Sequence, residues 1–285
     1  MVTLSGLGFR YEKHKPLFED LNLTLAPGNI YGLLGKNGAG KTTLLKIISG
    51  LIYPERGKAL IGNRETKSRS PGIMEDLYFL PEVCSLPKLR VDEYIAIYSP
   101  FYPRFSVDQF YDYLKIFGID DESHLSKLSH GEKKKIAIAF ALAANTKLLL
   151  LDEPTNGLDI PGKSTFRKLI AASFAEDKII VISTHQVRDM NGIIDPVVIL
   201  DKGRVILNES LSRINSRVSV AMTAAEPGGE DILYYESTMG GYAVITKNDG
   251  NDDGEIDIEL LFNSVVGENS KVNTAIGGEV RNVRE

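Results

Sequence analysis

The stretch Gly35-Lys36-Asn37-Gly38-Ala39-Gly40-Lys41-Thr42-Thr43 constrains this chain more than any other. It fits the phosphate-loop pattern G-x-x-x-x-G-K-[ST] without a mismatch. The apolar run at 30–34 before it reads as a buried strand, and residues 44–48 after it carry a helical apolar face. A strand, a glycine loop and a helix start make an anion site. Backbone N–H groups converge there, and the helix N-terminus adds positive potential. Glycine lets the backbone close tightly on phosphate oxygens. In such a loop Lys41 reaches the β and γ phosphates, and the Thr42 hydroxyl binds Mg²⁺. A plain glycine turn gives no reason for Lys-Thr at that offset.

Leu148-Leu149-Leu150-Leu151-Asp152-Glu153 reads as a fully buried strand ending in two acids. Open α/β sheets bind ligands at that rim. With a phosphate loop upstream, Asp152 is expected in the Mg²⁺ shell and Glu153 beside the attacking water. Residues 178–184 read as another buried strand, ending at His185. A lone histidine is more often a structural hydrogen-bonder, but this one ends a strand at the same rim. Asp159 closes the turn Asn156-Gly157-Leu158-Asp159.

Ser129-His130-Gly131-Glu132 forms a capping box. The helix it opens buries Ile136, Ala139, Phe140 and Ala143 at helical spacing. Its start is therefore well defined and electropositive. Lys133-Lys134-Lys135 reads as a solvated face of that helix, or as an attraction for a phosphate brought from elsewhere.

Residues 1–34 look β-rich. Tyr11 there is either ordinary strand packing or an aromatic platform for an adenine ring. Residues 83–127 read as helical, with one helix starting at Val91 or Asp92 and another over Val107–Phe117, ended by Gly118. Their crowded aromatics suit the small core of a helical subdomain, with a minority facing outward to dock something. Residues 197–200 and 205–207 form a hairpin about Lys202-Gly203. Beyond 212, alternation at 217–223, 232–236 and 242–246, then a helix at 256–266, predicts a small α+β extension. Asp249-Gly250-Asn251-Asp252-Asp253-Gly254 matches the start of an EF-hand loop. Leu260 stands where the bidentate glutamate belongs, so the segment reads as a solvated turn.

With 285 residues, one large or two modest domains can form. A net charge of −5 supplies no global field for phosphate backbones, so no nucleic-acid partner is expected. The single cysteine, Cys84, excludes an intramolecular disulfide framework and suits a reducing cytosol. No apolar segment reaches the roughly 18–20 residues that span a bilayer. The N-terminus lacks the charged and apolar regions of a signal peptide. Any membrane part is expected from another chain.

Together these stretches resemble the ATP-binding subunit of an ABC transporter, over roughly residues 1–212. Residues 35–43 match its Walker A motif, and residues 148–153 its Walker B motif. Leu128-Ser129-His130-Gly131-Glu132 is similar to its LSGGQ signature. Residues 156–159 look like its D-loop, Ser183-Thr184-His185 like its switch-histidine loop, and Tyr11 stands at its adenine-stacking position. Walker A alone marks every phosphate-loop NTPase. Walker A with the signature ahead of Walker B marks the ABC class.

The resemblance implies an α/β phosphate-loop NTPase of ABC type. It has a β-rich N-terminal subdomain, a short helical subdomain at about 83–128, and the α+β extension at 213–285. It implies two subunits facing head to tail, with ATP between Walker A of one and the signature of the other. The helix opening at Ser129 would then aim at the partner's γ-phosphate. Glu153 would be the general base, His185 would position phosphate and water, and Asp159 would link the two sites. ATP and Mg²⁺ are the implied cofactors.

Three departures stand out. Glu82 lies where the family has a glutamine that faces Mg²⁺ through water. His130 replaces the first signature glycine and Glu132 its glutamine, while Ser129 and Gly131 are kept. The segment 82–128 is short for the family. That compactness, Leu-Pro-Glu at 80–82 and Asn-Gly-Leu-Asp at 156–159 look most like ATPases of ABC-2-type exporters.

The expectation is an ATPase subunit that powers an exporter through dimer closure. Its partners would be a separate transmembrane permease and a second ATPase subunit, at the cytoplasmic face of the membrane. The alternative is a soluble ABC ATPase acting on ribosomes, nucleic acid or a protein assembly. Such proteins usually carry two linked ATPase domains or a long coiled coil. Neither a second phosphate loop nor sustained heptads are present. A regulator without turnover is a third reading, resting on Glu82 and His130.

Overall fold

Alternating apolar residues form an antiparallel pair, β1 (Val2–Glu12) and β2 (Lys15–Leu25). Val2, Leu4 and Leu7 join Leu21, Leu23 and Leu25 in one core, while Ser5, Asn22 and Thr24 between them are exposed. The computed structural model describes residues 1–248, 256–266 and 270–277. Next come β3 (Asn29–Leu34), the phosphate loop and α1 (Lys41–Ile48). β4 (Arg56–Ile61) and the short β5 (Arg64–Glu65) complete a four-stranded sheet in the order β2-β1-β4-β5. The single-turn helix α2 (Pro71–Met74) leads into β6 (Leu77–Leu80).

The helical region holds α3 (Val91–Tyr98), α4 (Val107–Phe117) and α5 (His130–Ala143). The Ser106 hydroxyl caps α4, and Gly118 ends it at φ 69°, a conformation glycine adopts without strain. Phe140 of α5 gathers the rings of Tyr94, Tyr102, Phe105 and Phe110 at centroid distances of 5.1, 5.9, 4.8 and 6.4 Å. Most of the expected aromatic cluster is thus this region's core. Ile97 and Phe101 face outward.

β7 (Leu148–Asp152), α6 (Ile160–Ala172), β8 (Ile179–Thr184), β9 (Val197–Asp201) and β10 (Arg204–Glu209) follow. The central sheet runs β10-β9-β3-β8-β7-β6. All neighbours are parallel except the expected β9–β10 hairpin. Both faces are buried, which is why these strands read as continuous apolar runs. Leu149, Leu151, Ile180, Ile182, Val197 and Ile199 share one core with α5 and α6. Leu148, Leu150, Ile179, Val181, Val198 and Leu200 share the other with α1 and the first sheet. Register pairs Leu34 with Thr184 and Asp152 with Ser183. The residues that follow these three strands, Gly35, Glu153 and His185, therefore sit along one sheet edge.

After α7 (Leu211–Asn215), the chain forms β11 (Val218–Thr223), β12 (Ile232–Thr238) and β13 (Gly241–Lys247). These make an antiparallel sheet ordered β11-β13-β12. The helices α8 (Ile258–Val266) and α9 (Lys271–Ile276) pack with it. The expected turn at 249–254 lies outside the described residues. Among the described residues, no helix is long and apolar enough to cross a membrane.

Candidate active site

The phosphate loop turns sharply between β3 and α1. Gly38 and Gly40 adopt φ values of +81° and +107°. A side chain on Gly40 would lie 2.7 Å from the Phe18 ring, so the position needs glycine twice over. Gly40 caps α1 without any side-chain acceptor, which leaves the first amides of the helix for an anion. Lys41 is buried and donates to the Gly35 carbonyl at 2.7 Å. Its ammonium also lies 3.7 Å from Glu153 Oε1. Burial pulls the Lys41 pKa down, and the neighbouring Glu153 and Asp152 carboxylates oppose that shift.

Asp152 is almost fully buried. It accepts from the Thr42 hydroxyl at 2.7 Å through Oδ2 and from the Ser183 hydroxyl at 2.5 Å through Oδ1. Both partners follow from topology, since Thr42 lies in the first turn of α1 and Ser183 is the register partner of Asp152. Glu153 takes φ 45°, the left-handed region that non-glycine residues seldom occupy. Its amide is held 3.1 Å from the Ser183 hydroxyl oxygen, and Oε1 lies 2.8 Å from His185 Nδ1. The His185 amide donates to Oε2 at 3.4 Å. Two strand ends thus lock one carboxylate onto one imidazole.

A cavity of about 490 Å³ opens over this edge. Its lining includes Tyr11, Lys36, Asn37, Gly38, Gly40, Lys41, Thr42, Thr43, Glu82 and Glu153. Of the loop residues, Gly35 and Ala39 lie outside that lining. Tyr11 is largely exposed, stands edge-on to Phe9 at 4.9 Å, and its hydroxyl lies 3.0 Å from Thr43 Oγ1. The Glu82 carboxylate accepts from Asn156 Nδ2 at 2.9 Å. Thr42, Glu82 and Glu153 offer oxygen ligands to the cavity, with Asp152 directly behind Thr42. That donor set fits Mg²⁺, which takes one or two protein oxygens and shares the rest with phosphate and water. Among the described residues, no three His, Cys, Asp or Glu side chains cluster to hold a metal by themselves.

Ser129, His130, Gly131, Glu132 and Asp159 do not line this cavity. They form a second group at the start of α5. The Ser129 amide donates to Glu132 Oε2 at 2.8 Å, and the Glu132 amide to Ser129 Oγ at 3.3 Å, which realises the expected capping box. The 129–132 turn packs on the 156–159 turn. A Cβ on Gly157 would come within 3.0 Å of the His130 ring, and one on Gly131 within 3.0 Å of the Gly157 carbonyl oxygen. Asp159 caps α6 and pairs with Lys135 at 3.2 Å.

The middle residue of the lysine run departs from its expected reading, while Lys133 and Lys135 stay partly exposed. Lys134 is completely buried and donates to the Glu82 carbonyl at 2.8 Å and the Pro81 carbonyl at 3.4 Å. It faces neither solvent nor a phosphate from outside, because α5 is packed on nearly all sides and the middle lysine turns inward. Burial lowers its pKa, opposed by Cys84 and Glu82 among others. Sequence reasoning placed Ser183 in the stretch before His185 but did not foresee its contacts with Asp152 and Glu153. Its signal was there: a hydroxyl in the strand beside Asp152, one pair short of the sheet edge.

The family model for ABC transporters matches residues 18–156. An ABC transporter ATP-binding protein of Pyrococcus furiosus is 33% identical over 216 residues, covering 72% of this chain and 82% of its own. The cobalt import ATP-binding protein CbiO of Salmonella paratyphi A is 30% identical over 220 residues, covering 73% and 80%. A solved ATP binding subunit of an ABC transporter superposes with a TM-score of 0.68 at 26% identity, covering 75% of this chain and 92% of its own. These likenesses meet a sheet edge where phosphate loop, paired acids and histidine converge. The chain belongs to the ABC transporter family, as one of its ATP-binding and ATP-hydrolysing domains.

Proposed function

We propose that this chain powers a membrane exporter from the cytoplasmic face, paired with a second ATPase subunit and bound to a separate transmembrane permease. The observation that carries the catalytic part is the Glu153–His185 contact at 2.8 Å, beside Lys41 and Thr42. Residues 35–43 cradle the phosphates, with Lys41 on the β and γ groups, and Tyr11 stacks on adenine. Glu153 takes a proton from water as the water oxygen attacks the γ-phosphorus. The bond from that phosphorus to the β–γ bridging oxygen then breaks. His185 Nδ1 lies 2.8 Å from Glu153 Oε1; because a carboxylate only accepts, Nδ1 is the donor in this reading, which leaves Nε2 for the phosphate side. Thr42 and Asp152 would hold Mg²⁺, with Glu82 reaching it through water. When bound, the ion neutralises phosphate charge.

The dimer reading is supported by the separation of the two groups within one chain. Ser129–Glu132 and Asp159 cap helices outside the nucleotide cavity, as suits an arrangement in which a second chain brings its signature turn to this chain's phosphates. The permease reading is supported by a groove of about 490 Å³ whose lining includes Leu51, Met74, Phe79, Phe101 and Tyr102 together with Ser49, Arg69 and Glu75. Leu51 and Phe101 there are half or more exposed, as suits a docking site for a partner helix. Export rests on the resemblance of the compact 82–128 segment to ABC-2-type ATPases. The cobalt import relative marks uptake as the competing direction. We divide the chain near residue 212 into ATPase domain and extension, with α7 crossing the boundary.

The test is affinity capture of a Glu153→Gln variant from detergent-solubilised cells with ATP, read by mass spectrometry. A polytopic membrane protein in near-stoichiometric amount is the expected result. Ribosomes, nucleic-acid-bound proteins or a soluble assembly, without a membrane subunit, would overturn the transporter reading.

A further inference from the structure

The extension has no place in the chemistry above, yet it reaches the residues directly behind His185. The chain leaves His185 through a 3-10 turn, Val187–Met190. From one side, α6 holds this turn. Lys163 Nζ lies 2.6 Å from Asp189 Oδ2 and 3.1 Å from Gln186 Oε1. From the other side, α8 of the extension packs on it. The Arg188 guanidinium donates to Glu259, and Asn191 Nδ2 donates to Asp257 Oδ2 at 3.3 Å. Asp257 uses its other oxygen to accept the Glu259 amide at 2.9 Å and the Leu260 amide at 3.1 Å. One carboxylate therefore ties the start of α8 to the turn. Beneath these contacts, Met190 and Ile194 share a core with Ile258, Leu261 and Val265.

A histidine's reach is set by its backbone. The His185 amide and ring both touch Glu153, so a small displacement of the following turn moves both contacts. Small misplacements of a positioning group cost rate without costing ground-state binding. The nucleotide cavity includes no residue of this turn or of α8, so ATP affinity has no direct path to them.

We propose that the C-terminal extension braces the 187–190 turn and so sets His185 against Glu153, with Arg188, Asn191, Asp257 and Glu259 as positioning residues for hydrolysis. This rests on the role given to His185 above. The extension thereby becomes a handle on turnover. Whatever moves α8 changes the rate of hydrolysis while nucleotide binding stays the same.

The test uses the full chain. Arg188→Glu and Glu259→Arg are made singly and together, and Glu259→Arg is repeated in a His185→Ala background. An exposed ion pair is worth little, so each single reversal should lower kcat by roughly three- to fivefold, with KM for ATP within about twofold. The double reversal restores the pair and should recover the rate. In the His185→Ala background, Glu259→Arg should change nothing further. Hydrogen exchange at residues 186–191 should quicken in each single variant and return in the double. Unchanged kcat and unchanged exchange in the single variants would overturn the brace, as would an equal loss with His185 removed. His185→Ala turning over at the normal rate would instead sink the role given to His185, a result distinct from failure of the brace.

Discussion

Glu153 is held by three groups that each want something different from it. Its left-handed backbone is pinned through Ser183, one carboxylate oxygen meets His185, and the same oxygen draws the Lys41 ammonium. Glutamine keeps the shape and the acceptor but cannot take a proton. Glu153→Gln should therefore bind ATP normally and hydrolyse it at least about a hundredfold more slowly, measured by phosphate release. Normal turnover would remove Glu153 as the base. Lys41 offers the loop's one buried ammonium, so Lys41→Ala should weaken ATP binding by about tenfold or more, read by calorimetry. Lys134 is a different case, because its partners are main-chain. Lys134→Met fills the same space but leaves the Pro81 and Glu82 carbonyls without their donor. Urea unfolding should show a loss of about 1–3 kcal/mol. Unchanged stability would mean that water satisfies both carbonyls.

The helix α5 shows why some of the site was readable and some was not. Its start was legible, because Ser-x-x-Glu satisfies two amides in a geometry set by four consecutive residues. The strand ends were legible too, since a both-faces-buried strand stops where its acids or histidine begin. The inward turn of Lys134 was not. Residues 136–143 are all buried, so the helix has no polar stripe by which to phase a run of three lysines. In the extension, alternation located the strands within one or two residues. Nothing local could disclose that α8 packs behind His185, because that contact joins residues about 70 apart in sequence. The cap itself is testable. Ser129→Ala should cost about 1 kcal/mol in thermal or urea unfolding. The hydrogen bonds from Ser129 hold the Glu132 carboxyl below its ordinary range. A carboxylate lowered in the folded state adds stability above its unfolded pKa and loses it as pH falls through the folded one. Glu132→Gln should therefore flatten the acid limb of the stability curve, and an unchanged limb would deny the cap that role.

The extension is joined to the ATPase domain through its core. Val218, Ile245, Leu261, Val265 and Val272 belong to the same buried cluster as Met190, Ile194, Ile206 and Ile214. A domain with its own core could be removed at little cost to its neighbour. Here removal uncovers apolar surface on the 187–190 turn, on β10 and on α7, which contact α8 and β11. A chain ending at Ser216 keeps all of α7 and loses everything beyond it. Each large side chain taken from burial to water costs about 1.5–3 kcal/mol, so two or three amount to roughly 3–9 kcal/mol. In a domain of this size that lowers Tm by on the order of 10 °C. The phosphate loop lies at the sheet edge and packs through α1 into the opposite core, so it does not share this surface. The truncated chain should therefore melt early, measured by calorimetry, yet bind ATP with nearly the full-length affinity while its turnover falls. An unchanged Tm would mean that the extension folds on its own core. A matching loss of ATP affinity would mean that the damage crosses the central sheet, and the two faces could not then be treated as separate supports for binding and for turnover.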